Sequence, residues 1–182
     1  IGPIGLMAVE GARHLGAARI IAVGSRPVCV KLAREFGASE VISYRDGDVV
    51  QQVLEKTGGV GADSVILCGG GDEVFTQAVD MVRYGTGTIS NVNYYGGTGC
   101  LGFPKFSGGR GMAGKTIHTE LAKGGRARIE RLLAMVKYGR IDPQKLVTHH
   151  LYGLDKVEDA LYMMKEKADD LVKVMVKIDW KD

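Results

Sequence analysis

The sequence lacks the cysteine spacing of a disulfide-stabilised protein and the long apolar runs of a membrane-spanning protein. Three cysteines, Cys29, Cys68 and Cys100, stand far apart in 182 residues. Because no C-x-x-C pair is present, neither a disulfide framework nor a zinc ribbon is predicted. No apolar run approaches the about 18 residues that a membrane-spanning helix needs, and the first residues do not form a signal peptide. These absences predict a cytoplasmic protein with reduced thiols and no membrane partner.

Familiar catalytic and metal-binding motifs are also missing. No G-x-S-x-G, H-E-x-x-H or P-loop pattern occurs. The four histidines are not spaced as metal ligands: His14, His118, His149 and His150. Neither sign of charge is in large excess, because 24 basic and 21 acidic residues leave a net charge of +3. That charge is too weak to predict a nucleic-acid partner, and the basic residues between 123 and 131 are expected on a solvated helix face.

Glycine is abundant by contrast. The chain has 27 glycines in 182 residues, roughly twice the usual share of about 7%. They follow no short repeat, which indicates many tight turns and close backbone approaches rather than a fibrous protein. The densest stretch, 96–114, has no periodicity and is interpreted as a long functional loop or an inter-subunit segment.

Strands and helices are predicted to alternate along the chain. Apolar, β-branched runs predict strands over 19–23, 40–43, 64–67, 88–92, 115–119 and 171–178. Apolar residues at helical spacing predict helices over 6–15, 27–36, 48–56, 72–82, around 129–136 and after 155. Asp72 is expected to cap its helix, Asp155 and Glu158 to form a capping box, and 179–182 to be a polar tail. This pattern predicts an α/β fold with a doubly wound, parallel, Rossmann-type sheet, in one domain over 1–182.

The chain opens inside a glycine turn. Ile1 is followed by Gly2, Pro3, Ile4 and Gly5, and a helix comes next. In α/β domains a strand normally precedes such a turn, so we expect a segment of a longer protein whose sheet lacks its first strand here. Gly2 and Gly5 have the spacing of the last two glycines of G-x-G-x-x-G, which predicts a phosphate site at the helix N-terminus. An ordinary tight turn is the alternative.

The residues that follow the strand predicted over 19–23 indicate which dinucleotide would bind. NAD-binding proteins place an acidic residue there, on the ribose 2′-hydroxyl. This chain has Gly24, Ser25 and Arg26 instead. A hydroxyl and a planar guanidinium suit a 2′-phosphate, which a carboxylate would repel. The residues therefore predict NADP(H) rather than NAD(H), with a helix-capping Ser25 and a solvated Arg26 as the alternative.

Taken together, these stretches resemble a known family. The chain is similar to the cofactor-binding domain of zinc-dependent, medium-chain alcohol dehydrogenases, and within them to NADP-dependent secondary alcohol (isopropanol-type) dehydrogenases. The resemblance covers almost the whole chain and is carried by Gly2–Met7, Arg19–Pro27, Ile89–Tyr94, Lys145–His149, and Met164–Lys167 with Asp170 and Leu171.

The resemblance implies a set of cofactor-binding residues. Residues 1–4 would contact the pyrophosphate, and Ser25, Arg26 and Tyr44 would surround the 2′-phosphate. The remaining contacts would lie along the nicotinamide and near the C-terminus: Val92, Asn93, Tyr94 and Lys167. It also implies that residues 140–182 pack back toward a catalytic domain.

The resemblance further implies an activity that this segment would not perform alone. The enzyme would interconvert secondary alcohols and ketones by hydride transfer, with NADP and a zinc ion whose ligands precede the glycine turn. No catalytic residue and no metal ligand is then expected in this segment, and a homo-oligomer (a homotetramer) is expected. A zinc-free quinone or enoyl reductase of the same superfamily, or a non-catalytic nucleotide-binding domain, remains the alternative.

The sequence departs from the family pattern at three places. The turn Tyr84-Gly85-Thr86-Gly87 is one residue longer than usual, with Tyr84 where proline is common. The stretch 106–111 lacks the family's usual aromatic and acidic residues, and Gly114 replaces a usual histidine. None of these departures touches the residues expected at the 2′-phosphate.

Overall fold

The computed structural model describes residues 1–178, and the expected polar tail at 179–182 lies outside that range. The helices and strands are, in order, α1 (Pro3–His14), β1 (Ile21–Val23), α2 (Pro27–Glu35), β2 (Glu40–Ile42), α3 (Val49–Lys56), β3 (Ser64–Leu67), α4 (Glu73–Met81), β4 (Thr88–Asn91), β5 (Thr116–Thr119), α5 (Arg126–Lys137), β6 (Val147–Tyr152), α6 (Val157–Glu166) and β7 (Lys173–Lys177). None of the helices within this range has the length and apolar character needed to cross a bilayer.

Every strand pair within the described range is parallel, as expected. β1 pairs with β2, β4 lies between β3 and β5, and β6 pairs with β7. The α/β class and the Rossmann-type alternation are therefore confirmed. The strands nevertheless form three separate ladders rather than one sheet, because β1 and β3 do not hydrogen-bond to each other.

Ile1 lies in the space between β1 and β3. Its nitrogen donates to the carbonyl of Val23, at the end of β1. On the other side, a Cβ on Gly5 would lie 3.5 Å from the Ile1 side chain and 3.7 Å from Cys68, which follows β3. The glycine turn thus contacts the carboxyl ends of both strands.

Three apolar clusters hold the layers together among the described residues, and the third packs α3 and the end of α4 against β2. The first packs α1 and α2 under β1 and includes Leu6, Cys29 and Phe36. The second packs α4 against β3 and β4 and includes Val79 and Ile89, which are both fully buried. Burial of such side chains stabilises the fold by roughly 1.5–3 kcal/mol each.

Helix capping differs from the sequence prediction at two helices, and a cap that was not predicted forms at a third. Asp48 caps α3 by accepting from the Gln51 amide at 2.8 Å. Asp72 stands at the N-cap of α4 but has a helical backbone and makes no capping bond. The capping box of Asp155 and Glu158 is also wrong, because the chain enters α6 through a 3-10 turn and Lys156 is the N-cap residue.

The helix predicted around 129–136 forms as α5, but its apolar face is uncovered. Ile129 is 58% exposed, Leu132 45% and Leu133 61%. In contrast, the segment that follows packs on α1 and α2: the Asp142 amide donates to Glu10 Oε1 at 3.2 Å, and Leu146 joins the first cluster. The C-terminal region therefore combines a packed segment with an open apolar helix face.

An ion-pair network joins three elements at the edge of the first ladder. Arg19 precedes β1, Glu40 begins β2 and Lys56 ends α3. The Glu40 carboxylate accepts from Lys56 Nζ at 2.6 Å and from Arg19 Nε at 2.7 Å. The hydrogen bond from Lys56 has the larger effect and the one from Arg19 the smaller, and together they hold the pKa of Glu40 below its ordinary value.

Glu40→Gln is expected to destabilise the protein at neutral pH but not in strong acid. Folding lowers the pKa of Glu40. The ionised carboxylate therefore stabilises the folded state at pH values above the ordinary pKa of glutamate, and this stabilisation is lost as pH falls through the pKa in the folded state. The free energies of unfolding of Glu40→Gln and wild type should therefore converge in acid. Urea unfolding at stepped pH measures this, and a difference that stays constant with pH would contradict the assignment.

Candidate functional site

The glycine turn and the end of β1 meet closely because Gly24 has no side chain. A Cβ at this position would lie 2.4 Å from the Ile1 side chain and 3.0 Å from the Ile1 nitrogen. Backbone atoms cannot yield to such a contact cheaply. Gly24 thus lets the turn approach the residues that follow β1, which brings Ile1 and Gly2 to the same edge as Ser25 and Arg26.

A cleft of about 380 Å³ opens beside Ser25. Its lining comes from the ends of β1 and β2 and from α2 and α3: Gly24, Ser25, Val30, Val41, Ile42, Ser43, Asp46, Gln52 and Lys56. The hydroxyl of Ser25 is buried and has no hydrogen-bond partner among residues 1–178. Buried polar groups are nearly always paired, so this hydroxyl is a candidate partner for a ligand in the cleft.

The alternative role for Ser25 as a helix cap is wrong. Arg26, not Ser25, occupies the N-cap position of α2, and no side chain caps that helix. Arg26 is half-buried and anchored rather than free in solvent. Its Nη1 donates to the carbonyl of Leu171, and its Nη2 lies 3.8 Å from where Gly2 would carry a Cβ.

This placement anchors Arg26 next to the glycine turn. Arg26 is not part of the cleft lining, but it directly follows Ser25, which is. Arginine has five N–H donors, so the bond to Leu171 leaves donors for an anion.

Tyr44 lies beyond the end of β2, the strand that pairs with β1. Its side chain is 56% exposed, while the preceding residue, Ser43, lines the cleft. Parallel strands end at the same edge of a ladder, so Tyr44 and Ser25 share that edge.

The segment after β4 is fixed by two asparagines. Asn91 Oδ1 accepts from the Asn93 amide at 3.2 Å, and Asn93 Nδ2 donates to the carbonyl of Gly70, after β3, at 3.3 Å. Asn93 therefore braces the ends of β3 and β4, while Val92 and Tyr94 are 48% and 91% exposed. The bracing role of Asn91 was missed, although Asn-x-Asn is a spacing at which Asx turns form.

Lys167 ends α6 in a left-handed conformation, with φ of 53°. The residues after it cross the N-terminus of α2, where the Val28 amide donates to the carbonyl of Asp169 at 3.3 Å and Arg26 donates to Leu171. Lys167 thus belongs to a segment that contacts the same helix end as Arg26. Local sequence could not predict this contact, since it joins residues far apart in the chain.

The described residues do not fit a zinc ion. Within residues 1–178 no three or more histidine, cysteine or acidic side chains come together as a metal site would require. Burial raises the pKa of the Cys29 and Cys68 thiols, which keeps them neutral. These thiols are suited to packing rather than to ligation.

The chain is similar to known dehydrogenases over nearly its whole length. A family model described as zinc-binding dehydrogenase matches residues 3–119. The NADP-dependent isopropanol dehydrogenase of Entamoeba histolytica is 48% identical over all of this chain and half of its own length. That of Clostridium beijerinckii is 50% identical over 97% of this chain and half of its own length. Among solved structures, the alcohol dehydrogenase TADH from Thermus sp. ATN1 has a TM-score of 0.82 and 30% identity, over 98% of this chain and 49% of its own.

Proposed function

Because the chain belongs to the zinc-binding dehydrogenase family, we propose that it forms the NADP(H)-binding domain of an oxidoreductase that interconverts secondary alcohols and ketones. The observation that carries the proposal is the buried hydroxyl of Ser25, which has no partner among residues 1–178 and is followed in sequence by the anchored Arg26. The chain spans about half the length of the relatives it matches. The activity is accordingly assigned to the complete protein, and this segment alone is expected to be inactive.

Each part of the dinucleotide has residues suited to it. Gly2 is the N-cap of α1, and no side chain caps that helix, so its first amides and its dipole favour the pyrophosphate. Ser25 and Arg26 would bind the 2′-phosphate, with Tyr44 at the same edge and Lys167 reaching in from the end of α6. These residues present a hydroxyl and cations, with no carboxylate directly after β1.

The nicotinamide end would lie along the loop that follows β4. Asn93 fixes this loop to the end of β3 through Gly70, so Val92 and Tyr94 are presented from a braced backbone. When bound here, NADP⁺ would supply a hydride acceptor and NADPH a hydride donor, and the family's zinc would supply a Lewis acid for the substrate oxygen. The zinc ligands are proposed to lie outside the described residues.

The open apolar faces support a second part of the proposal. α5 exposes Ile129 and Leu133, and α6 exposes Leu161 at 66%. Soluble proteins seldom leave contiguous apolar surface uncovered without a partner. We propose that residues 140–182, together with α5, pack against the catalytic domain, and that the enzyme is a cytoplasmic homo-oligomer, a homotetramer.

Calorimetric titration of the complete protein with NADPH and NADH, at fixed ionic strength, tests the proposal. NADPH is expected to bind at least about tenfold more tightly, because charge-assisted hydrogen bonds to the 2′-phosphate contribute about 1.5–3 kcal/mol. Equal affinity, or a preference for NADH, would contradict the 2′-phosphate site.

Two further measurements separate the alternative functions. Turnover of a secondary alcohol with NADP by the complete protein would exclude a non-catalytic nucleotide-binding domain. A stoichiometric zinc content, measured by elemental mass spectrometry, would exclude a zinc-free quinone or enoyl reductase.

A further inference from the structure

One peptide group, between Leu171 and Val172, is held from both sides. Its carbonyl accepts from Arg26 Nη1, and its N–H donates to Thr148 Oγ1 at 2.9 Å. Leu171 and Val172 are each 1% exposed, so water has little access to either bond. Because a peptide group is planar and rigid, Thr148 and Arg26 act on a single unit.

A β-bulge aims the hydroxyl of Thr148 at this peptide group. In the ladder of β6 and β7, Val147 pairs with Lys173 and His149 pairs with Val174, which leaves Thr148 as the extra residue. Bulges turn a side chain out of the regular alternation and are frequent next to active sites. The Thr148 hydroxyl also lies 3.3 Å from the Lys173 carbonyl and 2.9 Å from His149 Nδ1, which further restrains it.

We propose that Thr148 is a positioning residue for the NADP(H) specificity of the site. Its hydroxyl orients the Leu171–Val172 peptide group, whose carbonyl holds the Arg26 guanidinium near Gly2 in the glycine turn. The inference rests on the proposed function, since Arg26 affects specificity only if it binds the 2′-phosphate. Thr148 contacts no cofactor atom in this assignment and acts through Arg26.

The physical basis is the ordering of a long, flexible side chain before the ligand arrives. A free arginine loses much rotamer entropy when it binds an anion, and a side chain that is already held loses less. A hydrogen bond on the N–H of a peptide group also polarises its carbonyl and strengthens the bond accepted there. Loss of the Thr148 hydroxyl should therefore loosen Arg26 without changing any group that contacts the rest of the dinucleotide.

Thr148→Val tests the assignment, because valine keeps the shape of threonine and lacks the hydroxyl. In the complete protein, the dissociation constant for NADPH is expected to rise roughly three- to tenfold, the range for one lost hydrogen bond, while that for NADH stays unchanged. Calorimetric titration with both dinucleotides measures the ratio. A role in folding alone would weaken both by the same factor, which would overturn the proposal, as would an unchanged ratio.

Three variants complete the test. Thr148→Ser keeps the hydroxyl and should keep the wild-type ratio. Thr148→Ala also removes the hydroxyl and introduces no group larger than the one it replaces. It can be titrated in the same way if Thr148→Val does not fold. In an Arg26→Ala background, Thr148→Val should cause no further change in the ratio.

The same set of variants distinguishes the proposed 2′-phosphate site from the proposed positioning role of Thr148. If Arg26→Ala leaves the ratio unchanged, the 2′-phosphate site itself is wrong. If Arg26→Ala lowers the ratio and Thr148→Val does not, only the positioning role fails.

Discussion

Arg26→Ala is expected to weaken NADPH binding by about tenfold to a hundredfold and NADH binding hardly at all. A charge-assisted hydrogen bond contributes about 1.5–3 kcal/mol, and every 1.4 kcal/mol is a tenfold change in affinity. Only NADPH carries the 2′-phosphate that the guanidinium would contact, so the loss should be selective. Calorimetric titration at fixed ionic strength measures both constants, and equal losses would contradict the role of Arg26.

Two control variants sharpen this result. Arg34→Ala removes the same charge from the exposed surface of α2, so it reports any general effect of net charge. Arg26→Lys keeps a cation that can still donate to the Leu171 carbonyl but lacks the planar fork of donors. It is expected to give an intermediate loss for NADPH.

Gly114→Ala is expected to lower the free energy of unfolding by about 2–5 kcal/mol. Gly114 has φ of 59°, in the left-handed region, where a side chain costs roughly 1–2 kcal/mol. Its Cβ would also lie 2.4 Å from the carbonyl oxygen of Gly85 and 2.8 Å from the Gly85 Cα. Backbone crowding of this kind adds about 1–3 kcal/mol.

Gly111→Ala is the matched control, three residues away in the same loop. A Cβ there would meet no atom within 4 Å, and Gly111 has no positive φ. Its stability should change by less than about 0.5 kcal/mol. Urea unfolding with unchanged slope compares the two variants, and similar losses for both would show that the Gly85 contact is unimportant.

The contact of Gly114 with Gly85 also joins two of the three places where the sequence is expected to depart from the family pattern. The Gly85 amide donates to the Ala113 carbonyl at 2.7 Å, so the turn at 84–87 packs directly on residues 113 and 114. A side chain at 114 would occupy the volume that the turn backbone fills. The absence of a side chain at Gly114 therefore permits this close contact with the turn.

The sequence predicted most of the secondary structure because those elements depend on local patterns, but it predicted no strand at β6 and began the first helix at residue 6 instead of Pro3. β3 begins and ends as expected, and α2 starts at Pro27, whose fixed φ favours the first helical turn. The family resemblance, which rests on residue stretches such as Arg19–Pro27, is confirmed by relatives at 48–50% identity. The assignment of individual cofactor contacts stays a prediction.

The errors concern features that depend on neighbouring elements. The capping box at Asp155 failed because the chain approaches α6 through a 3-10 turn. The apolar stripe of α5 predicted its helix correctly, yet periodicity cannot say what covers a face, and Ile129 and Leu133 are uncovered among the described residues.

The sequence by itself determined the alternation of strands and helices, the glycine turn, and the hydroxyl and cation that follow β1 in place of an acid. These properties belong to residues that are close together in the sequence, so their spacing and chemistry can be interpreted without a structure. Only the tertiary structure decided that the Ser25 hydroxyl is buried without a partner in the described part of the chain, and that Arg26 is held by Leu171, 145 residues away. It also decided that the bulged Thr148 orients that carbonyl. Such contacts form when distant segments pack together, and no local pattern encodes them.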